Sequence, residues 1–355
     1  MLIYWILLGF PALMAVAYPV SPDQGRSGAA QSVAYLFFLL FYVALAALRY
    51  ETGGDWLTYD LLYDDIRTDT FVHALTVTDP LYGLLNWIGA QTGLGIYLVN
   101  AVCAWVLGAG VIRVSQRFRE PWLAITMAVP YLLIVVGLGY VRQGAAIGVV
   151  LLAIASFDQA KPLRTLIYLL IAMGLHATAV VTLPMFTYSV LARHKLLGVF
   201  IAVLGVAVFN LLIAPRIEVF EAGYVANEYD SGGALTRLLM SLLPSALLLL
   251  RWRHFGTSAR VRSVWVMIAM ANFAALAGLA LVSSSTAVDR IALFFSPIQI
   301  AVLGEFRSLV PYSARFVIPV RLLLIGGAAL VQVVWLVFAT HAEFWVPYRS
   351  IVELL

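Results

Sequence analysis

The sequence predicts an all-α integral membrane protein that crosses the bilayer about twelve times, with some crossings short or re-entrant. Its 355 residues are 63% hydrophobic and only 11% charged, and the mean hydropathy is +0.96. A soluble domain contains about 25% charged residues, so in water this chain would expose apolar surface almost everywhere. The same aliphatic and aromatic content is too high for a disordered chain. Soluble enzymes and disordered proteins are therefore excluded classes.

The apolar stretches that would form these crossings are separated by short loops, which indicates one membrane domain over residues 1–355. The stretches cover residues 2–20, 31–48, 95–115, 122–139, 143–157, 163–175, 177–191, 196–214, 235–250, 263–283, 291–304 and 317–339. A long polar loop at 49–94 contains the apolar stretch 81–94, which is too short to span and predicts a helix at the membrane surface. A second long loop is predicted at 215–234.

Most of the 22 Lys and Arg residues fall in one set of alternate loops. Because Lys and Arg are retained on the cytoplasmic side, this set is predicted to be cytoplasmic, and both termini and the 49–94 loop extracytoplasmic. Basic loops stand at both ends of residues 163–191, so these residues are expected to form a tight hairpin with His176 at its outer turn.

Four polar residues on the predicted outer side interrupt apolar sequence: Arg49, Arg142, His176 and Arg290. A charge near the bilayer centre costs about 2.5–3.5 kcal/mol, and such residues usually face a cavity. Arginine presents a planar fork to phosphate oxygens and keeps its charge near neutral pH, so these residues predict a diphosphate site that needs no metal. The alternatives are an interfacial anchor for Arg49, an ion pair between Arg290 and Asp289, and a hydrogen-bonded turn for the histidine.

The loop from Gly53 to Asp60 mixes glycines, carboxylates and aromatic side chains. Carboxylates accept hydrogen bonds from sugar hydroxyls, and aromatic rings stack on the apolar faces of sugars. Asp55 or Asp60 could also accept the proton of an attacking hydroxyl. We interpret the remaining carboxylates, Asp64, Asp65 and Asp69, as a solvated acidic loop.

Other familiar sites have no sequence signal in this chain. The histidines are scattered and Cys103 is the single cysteine, so no metal cluster is predicted. No P-loop, nucleotide-binding glycine motif or G-x-S-x-G elbow is present. The basic residues lie in separate loops rather than in a stripe, which argues against a nucleic-acid partner. No cofactor is expected.

Six short blocks follow one another along almost the whole chain. They are Arg49 with Gly54, Asp55 and Tyr59; Asp79-Pro80-Leu81-Tyr82; Tyr140-Val141-Arg142-Gln143; Gly174-Leu175-His176-Ala177-Thr178 with Leu183-Pro184; Asp289-Arg290-Ile291 with Phe294-Phe295; and Trp345-Val346-Pro347-Tyr348. Their order resembles the EpsG-like branch of the Wzy-type bacterial polysaccharide polymerases. Asp79 is a mild departure, because that family usually has Glu before the proline.

The resemblance implies a GT-C-like glycosyltransferase at the outer face of the bacterial cytoplasmic membrane, with its site towards the periplasm or cell exterior. The donor would be a growing exopolysaccharide or O-antigen glycan on undecaprenyl diphosphate, and the acceptor a repeat unit on the same lipid. A hydroxyl of the acceptor would attack the donor sugar while the lipid diphosphate leaves. A flippase and a chain-length regulator are expected partner proteins.

The resemblance also suggests roles for the blocks' polar residues. Arg142 and Arg290 would bind the donor diphosphate, with Arg49 supporting them or holding the acceptor diphosphate. His176 would position the acceptor hydroxyl or take its proton, and Asp55 is the rival base. The substrate-binding set is completed by Tyr59, Tyr140, Gln143 and Asp289.

Two other interpretations remain open at this point. A lipid-linked oligosaccharide flippase or another transporter also needs intramembrane arginines and a large cavity, although no internal repeat is evident here. An O-antigen ligase uses the same lipid diphosphate, and an acyltransferase could modify the polysaccharide. The charge pattern alone does not separate a polymerase from a ligase.

Overall fold

A computed structural model of the chain provides the coordinates. It describes residues 1–18, 28–191, 233–281, 285–309 and 314–354, with isolated residues between 195 and 207. All regular elements within these ranges are helical, and the one β-bridge there pairs Arg49 with Ser350. The predicted all-α class is therefore confirmed. The predicted crossing at 196–214 and the loop at 215–234 lie almost entirely outside the described residues.

Seven of the described helices are long and apolar enough to cross a membrane: α2, α6, α7, α8, α11, α12 and α16. In chain order the helices are α1 (Leu2–Ala17), α2 (Ala29–Ala47), α3 (Trp56–Thr68), α4 (Phe71–Val77), α5 (Pro80–Thr92), α6 (Gly95–Ser115), α7 (Pro121–Gly139), α8 (Val141–Asp158), α9 (Pro162–Leu175), α10 (Leu183–Leu191), α11 (Ala234–Arg251), α12 (Ala259–Leu281), α13 (Ser285–Ala292), α14 (Ile298–Gly304), α15 (Phe306–Leu309) and α16 (Val317–Phe338). Shorter apolar helices lie at Leu2–Ala17, Pro162–Leu175 and Ala177–Val190. The chain is thus a multi-pass membrane protein, and the count of about twelve crossings stays a prediction.

Helix α7 forms the centre of the bundle, because 94% of its most apolar stretch is buried. Pro130 has no N–H to donate, and the helix widens into a π-turn over Val129–Val136. Carbonyl groups in this stretch accept side-chain hydrogen bonds, from the Tyr42 hydroxyl to Leu133 at 3.2 Å and from the Trp345 indole to Ile134 at 3.2 Å. Backbone groups without a helical partner are thereby satisfied inside the apolar core.

Helices α6 and α8 cross at very short distance because two glycines face each other there. A Cβ atom added to Gly110 would lie 2.2 Å from the carbonyl oxygen of Gly148, and one added to Gly148 would lie 2.5 Å from the Leu107 Cα. Small residues at a crossing allow the two backbones to approach, as is common in membrane bundles. This crossing fixes the position of α8, whose first turn carries Arg142.

The polar region 49–94 contains three helices, whereas a single short helix was expected from the sequence. The predicted stretch 81–94 corresponds to α5, which begins at Pro80, and α3 and α4 precede it. Helix α3 buries Trp56, Tyr59 and Ile66 on one face and carries its aspartates on the other faces. Because three aspartates and an arginine interrupt its apolar residues, the segment resembles a loop in sequence.

Three predicted apolar stretches are arranged differently from simple crossings. Residues 291–304 are divided, because α13 ends at Ala292 and α14 begins after Pro297. The arms of the expected hairpin around His176 pack mainly on different neighbours, α9 on α8 and α10 on α12. The histidine itself joins the end of α9 to a 3-10 helix at Ala177–Thr182.

Charged residues gather at the two opposite ends of the bundle. At the end where α7 begins, Glu120 pairs with Arg307 at 3.3 Å and with Arg321 at 2.8 Å. These residues, and the Arg119–Glu305 pair nearby, come from loops of the predicted cytoplasmic set. Helix α8 runs from this end to the other, since Asp158 pairs with Arg117 at its last residue while Arg142 stands on its first turn.

The two termini of the chain lie together at the Arg142 end. The Tyr4 hydroxyl donates to the carbonyl of Trp345 at 2.8 Å, and the backbone N–H of Tyr50 donates to the carbonyl of Arg349 at 2.9 Å. The C-terminal segment therefore packs against the start of α1 and against the turn that follows α2. The side of the membrane that they occupy stays a prediction.

Candidate active site

Asp79 lies at the centre of a buried polar cluster at this end of the bundle. Pro80 begins α5 directly after it, and the aspartate is only 3% exposed. Its Oδ2 atom accepts from the Arg142 guanidinium at 3.3 Å and contacts Nδ1 of His176 at 3.3 Å, while its Oδ1 accepts from the Ala177 N–H at 3.0 Å. One carboxylate thus connects three separate stretches of the chain.

Arg142 stands on the first turn of α8, immediately after the break that separates α8 from α7. Besides its bond to Asp79, its Nη1 donates to the Thr78 hydroxyl at 2.7 Å. The guanidinium carbon lies 5.8 Å from the ring centre of Tyr59 and 5.6 Å from that of Tyr82. Its side chain is 29% exposed, so part of this fixed cation is accessible from outside the protein.

His176 is held between Asp79 and the ring of Phe294, which stacks on the imidazole with centroids 6.3 Å apart. Burial lowers the pKa of His176 below its ordinary 6.5, against the opposing effect of the Asp79 carboxylate. Burial alone would raise the pKa of Asp79, but its His176 hydrogen bond and the nearby positive charges hold it below the usual range. The pair at neutral pH is therefore a carboxylate and a neutral imidazole.

The carboxylate also determines the tautomer of this imidazole. An ionised carboxylate only accepts hydrogen bonds, so the ring proton of His176 lies on Nδ1 and Nε2 is left as the acceptor. Within the described ranges, no residue forms a hydrogen bond with Nε2. Nε2 of His176 is therefore able to accept a proton.

Arg290, on α13, approaches the same region from the other side. Its guanidinium lies 3.5 Å from the Asp55 carboxylate and 4.3 Å from the ring centre of Tyr140. The Gln143 amide donates a hydrogen bond to the backbone carbonyl of Arg290 and so connects α8 to α13. The pair of Arg290 and Asp55 is loose and part-exposed, with 25% and 30% of the two side chains accessible.

Asp55 lies within electrostatic range of both Arg142 and Arg290. Burial raises the pKa of its carboxyl, while the charges of Arg290 and Arg142 act in the opposite direction. Burial likewise raises the pKa of the Tyr59 hydroxyl to about 12, and the charges of Asp55, Arg142 and Arg290 all reach it. Four of the predicted residues, Asp55, Tyr59, Arg142 and Arg290, therefore lie within electrostatic range of one another.

The turn that carries Asp55 requires glycine. Gly53 has φ +107°, a conformation that side chains other than glycine rarely adopt, and a Cβ there would lie 2.2 Å from the Leu138 carbonyl oxygen. Its N–H donates to the Phe344 carbonyl at 2.7 Å. The end of α7 and the C-terminal segment together fix the position of Asp55.

Arg49 is enclosed within electrostatic range of Tyr59 and Tyr82, and its hydrogen bond goes to a residue outside the cluster. Its side chain is 1% exposed, it donates to the Asn100 amide oxygen at 3.0 Å, and its guanidinium carbon stands 5.4 Å from the ring centre of Trp56. Its Nε and Nη1 atoms are buried without a hydrogen-bond partner among the described residues. Of its two predicted roles, this position favours support of the site over direct contact with a ligand.

Asp289, a predicted substrate-binding residue, has its carboxylate engaged by an arginine that the sequence did not single out. Arg237, on the first turn of α11, donates to both of its oxygens, at 2.9 Å and 2.7 Å. Both side chains are 12% exposed. This pair fixes the start of α11 to the residue before Arg290, and the substrate-binding role of Asp289 stays a prediction.

Arg237 and Asp79 are two residues of the site that the prediction left out, and the sequence contains a signal for each of them. Arg237 is one of the few basic residues outside the predicted cytoplasmic set, at the start of an apolar stretch. Asp79 belongs to one of the six blocks, but it supports only the resemblance and is not among the predicted site residues.

Comparison with known proteins identifies the family of the chain. The model of the EpsG family matches residues 32–350, which include every polar residue of the site. No curated protein and no solved structure matches the chain. Because the match covers most of the sequence, the chain belongs to the EpsG family.

Proposed function

We propose that this protein is a polysaccharide polymerase of the outer face of the bacterial cytoplasmic membrane. It transfers a growing glycan from undecaprenyl diphosphate to a hydroxyl group of a lipid-linked repeat unit, without a metal ion and within a GT-C-like architecture. The observation that carries this proposal is the convergence of Arg142, His176, Asp55 and Arg290 from four distant stretches of the chain. Family membership supports the polymerase class.

In the proposed reaction the acceptor hydroxyl oxygen attacks the anomeric carbon of the donor sugar. The bond between that carbon and the diphosphate oxygen breaks, and the diphosphate leaves with the electron pair. The hydroxyl proton moves to Nε2 of His176, whose Nδ1 is held by Asp79 at 3.3 Å. A neutral imidazole positioned in this way suits general-base catalysis, which contributes typically about 10²- to 10⁴-fold to a rate.

The arginines have the complementary task of binding the leaving group. Arg142 is fixed by Thr78 and Asp79 through Nη1, and the donors on its other terminal nitrogen, Nη2, would meet the diphosphate. The part-exposed contact between Arg290 and Asp55 at 3.5 Å is weak enough for phosphate oxygens to replace the carboxylate. Asp55 would then be released as a second acceptor near the incoming hydroxyl. The diphosphate would also gain charge-assisted hydrogen bonds as negative charge develops on it.

A reaction with purified protein in detergent tests this function. The protein is incubated with a defined undecaprenyl-diphosphate-linked repeat unit in the presence of a chelator, and the products are separated by size. We expect a ladder of lengthened lipid-linked glycans. A transporter or flippase would leave the repeat unit unchanged, because detergent removes the two compartments that transport requires. A ladder that forms only with added divalent metal would contradict the arginine mechanism.

A further inference from the structure

A groove lies beside the active site, between α3, the start of α6 and the C-terminal segment. Its volume is about 610 Å³, and its lining includes five aromatic and three acidic side chains but a single arginine. We call it the α3–α6 groove and define it by Trp56, Asp60, Tyr63, Asp64 and Tyr97. Sites that enclose a drug-sized ligand have volumes of about 300–1,000 Å³, so the groove has room for more than one sugar unit.

The chemistry of the α3–α6 groove is opposite to that of the active site. Three carboxylates would repel a diphosphate, whereas carboxylate oxygens accept hydrogen bonds from sugar hydroxyls. Aromatic rings such as those of Tyr63 and Tyr97 offer flat apolar faces to the C–H side of a sugar. The lining therefore suits an uncharged oligosaccharide.

One carboxylate in the groove has unused hydrogen-bonding capacity. Asp64 accepts from Arg67 at 2.7 Å, and Glu51 accepts from Arg349 at 2.6 Å. Asp60 stands between them in the lining and forms no hydrogen bond or ion pair with any residue that the structure describes. Its two oxygens can accept from a ligand without first breaking a protein contact.

The groove adjoins the active site at the glycine turn. Gly53 and Gly54 line the groove, and the next residue, Asp55, contacts Arg290 at 3.5 Å. The lining of the groove and the residue that contacts Arg290 are therefore consecutive in the chain, which places the groove next to the arginines.

We propose that the α3–α6 groove binds the uncharged oligosaccharide part of a lipid-linked substrate, several sugars away from the reacting bond. The inference rests on the proposed function, since it assigns the groove to the glycan that the active site would transfer or extend. Asp60 accepts hydroxyl donors, and the groove's aromatic side chains stack on sugar rings. The groove would hold a chain in register while its end reacts.

A labelling experiment tests the groove without relying on catalysis. Leu57 lines the groove and is 67% exposed, whereas Leu61, one helical turn further along α3, is outside it and 61% exposed. Each is replaced by cysteine in turn and labelled with a maleimide. The native Cys103 is 3% exposed, so its labelling is low. The probe is lipid-free oligosaccharide, released by mild acid from the extracellular polysaccharide of the source organism.

We expect the oligosaccharide to slow labelling of Leu57→Cys several-fold and to leave Leu61→Cys unchanged. Adding Asp60→Asn should raise the oligosaccharide concentration needed for protection about tenfold, since a charged acceptor is replaced by a neutral amide that has only one accepting oxygen. Asp65→Asn, on the same helix but outside the groove, should leave that concentration unchanged. Equal labelling of Leu57→Cys with and without oligosaccharide would overturn the inference.

The outcome separates this inference from the proposed function. Protection does not need a diphosphate, so it should persist in Arg142→Ala, which is expected to make no polymer. If the wild type forms a ladder but the oligosaccharide gives no protection, the groove assignment fails and the polymerase stands. If protection occurs but the wild type forms no ladder, the polymerase fails, and with it the assignment of the groove to its substrate.

Discussion

Asp79→Asn is the substitution that tests the site most sharply, because it removes a charge and almost no volume. The Asp79 carboxylate accepts from Arg142 and His176 through Oδ2 and from the Ala177 N–H through Oδ1. An asparagine amide has one accepting oxygen and one donating nitrogen. Whichever way it is oriented, its NH₂ group faces either the two side chains or the backbone N–H, so at least one of these hydrogen bonds is replaced by donor against donor.

The size of the effect follows from the hydrogen bonds that an asparagine cannot accept. A hydrogen bond to a charged group contributes about 1.5–3 kcal/mol. If that hydrogen bond stabilises the transition state, its loss lowers the rate roughly 10- to 100-fold. The orientation that keeps the Ala177 bond removes the bonds from both Arg142 and His176, and the combined effect is about 10²- to 10⁴-fold. The pKa of His176 should also fall further, because the Asp79 carboxylate is what raises it.

The assay is the initial rate of glycan extension from a lipid-linked repeat unit by purified protein, measured across pH. Asp65→Asn is the matched control, since Asp65 contacts His73 at 2.8 Å on the surface, where 51% of its side chain is exposed. An exposed pair contributes little, so this variant should retain its rate within about twofold. If folded Asp79→Asn extends glycan at the wild-type rate, Asp79 does not orient the base and the proposed role of the His176–Asp79 pair is refuted.

Three further predictions concern the cation, the base and the C-terminal segment. Arg142→Ala should lower the extension rate at least about 100-fold, because it removes one preorganised donor to the negative charge that develops on the diphosphate. The substitution Arg164→Ala, at an exposed position, should not lower the rate, and equal rates for the two variants would contradict this role. Burial lowers the pKa of His176, so its imidazole stays neutral at mildly acidic pH, and the acid limb of the pH–rate profile should have its midpoint below pH 6.5. A midpoint above that value would exclude this base. Trp345→Ala should cost about 3–5 kcal/mol of stability, seen as a lower Tm in detergent, because Trp345 is 1% exposed. Trp252→Ala, at 44% exposure, should change the Tm little; similar shifts would mean that the C-terminal segment does not stabilise the bundle.

The sequence was sufficient for the helical class and for part of the site. Hydropathy and composition predict membrane helices directly, because apolar length is a local property of the chain. The arginines and the histidine of the site were identifiable because a charge in an apolar stretch is costly and needs a reason. For this reason Arg142, His176 and Arg290 were expected at one end of the bundle, where they are found.

The partners of these residues could not be predicted, because they depend on how distant segments meet. Asp79 is 63 residues from Arg142 and 97 from His176 along the chain, and nothing in the local sequence indicates either contact. The same holds for Arg237, which is 52 residues from Asp289. Arg142, Arg237 and Arg290 each have a carboxylate partner, so the site is closer to electrical balance than a cluster of unpaired arginines would be.

The burial of Arg49 is a further feature that the sequence does not reveal. An arginine at the end of a membrane helix usually extends to the interface, where its charge is solvated. Here the chain turns back at Arg49 and pairs with Ser350, which encloses the guanidinium beside Asn100 and Trp56. The enclosing segment lies some 300 residues later in the sequence, and only the folded structure shows that it covers this turn.

The proposed mechanism depends on Arg142 and Arg290 binding the diphosphate of a lipid carrier together. Its most direct test is equilibrium binding of undecaprenyl diphosphate to the purified protein, measured by native mass spectrometry, with undecaprenyl monophosphate for comparison. We predict that the wild type retains the diphosphate in preference to the monophosphate, and that Arg142→Ala and Arg290→Ala each lose this preference. If both variants retain the diphosphate as well as the wild type does, the claim is contradicted.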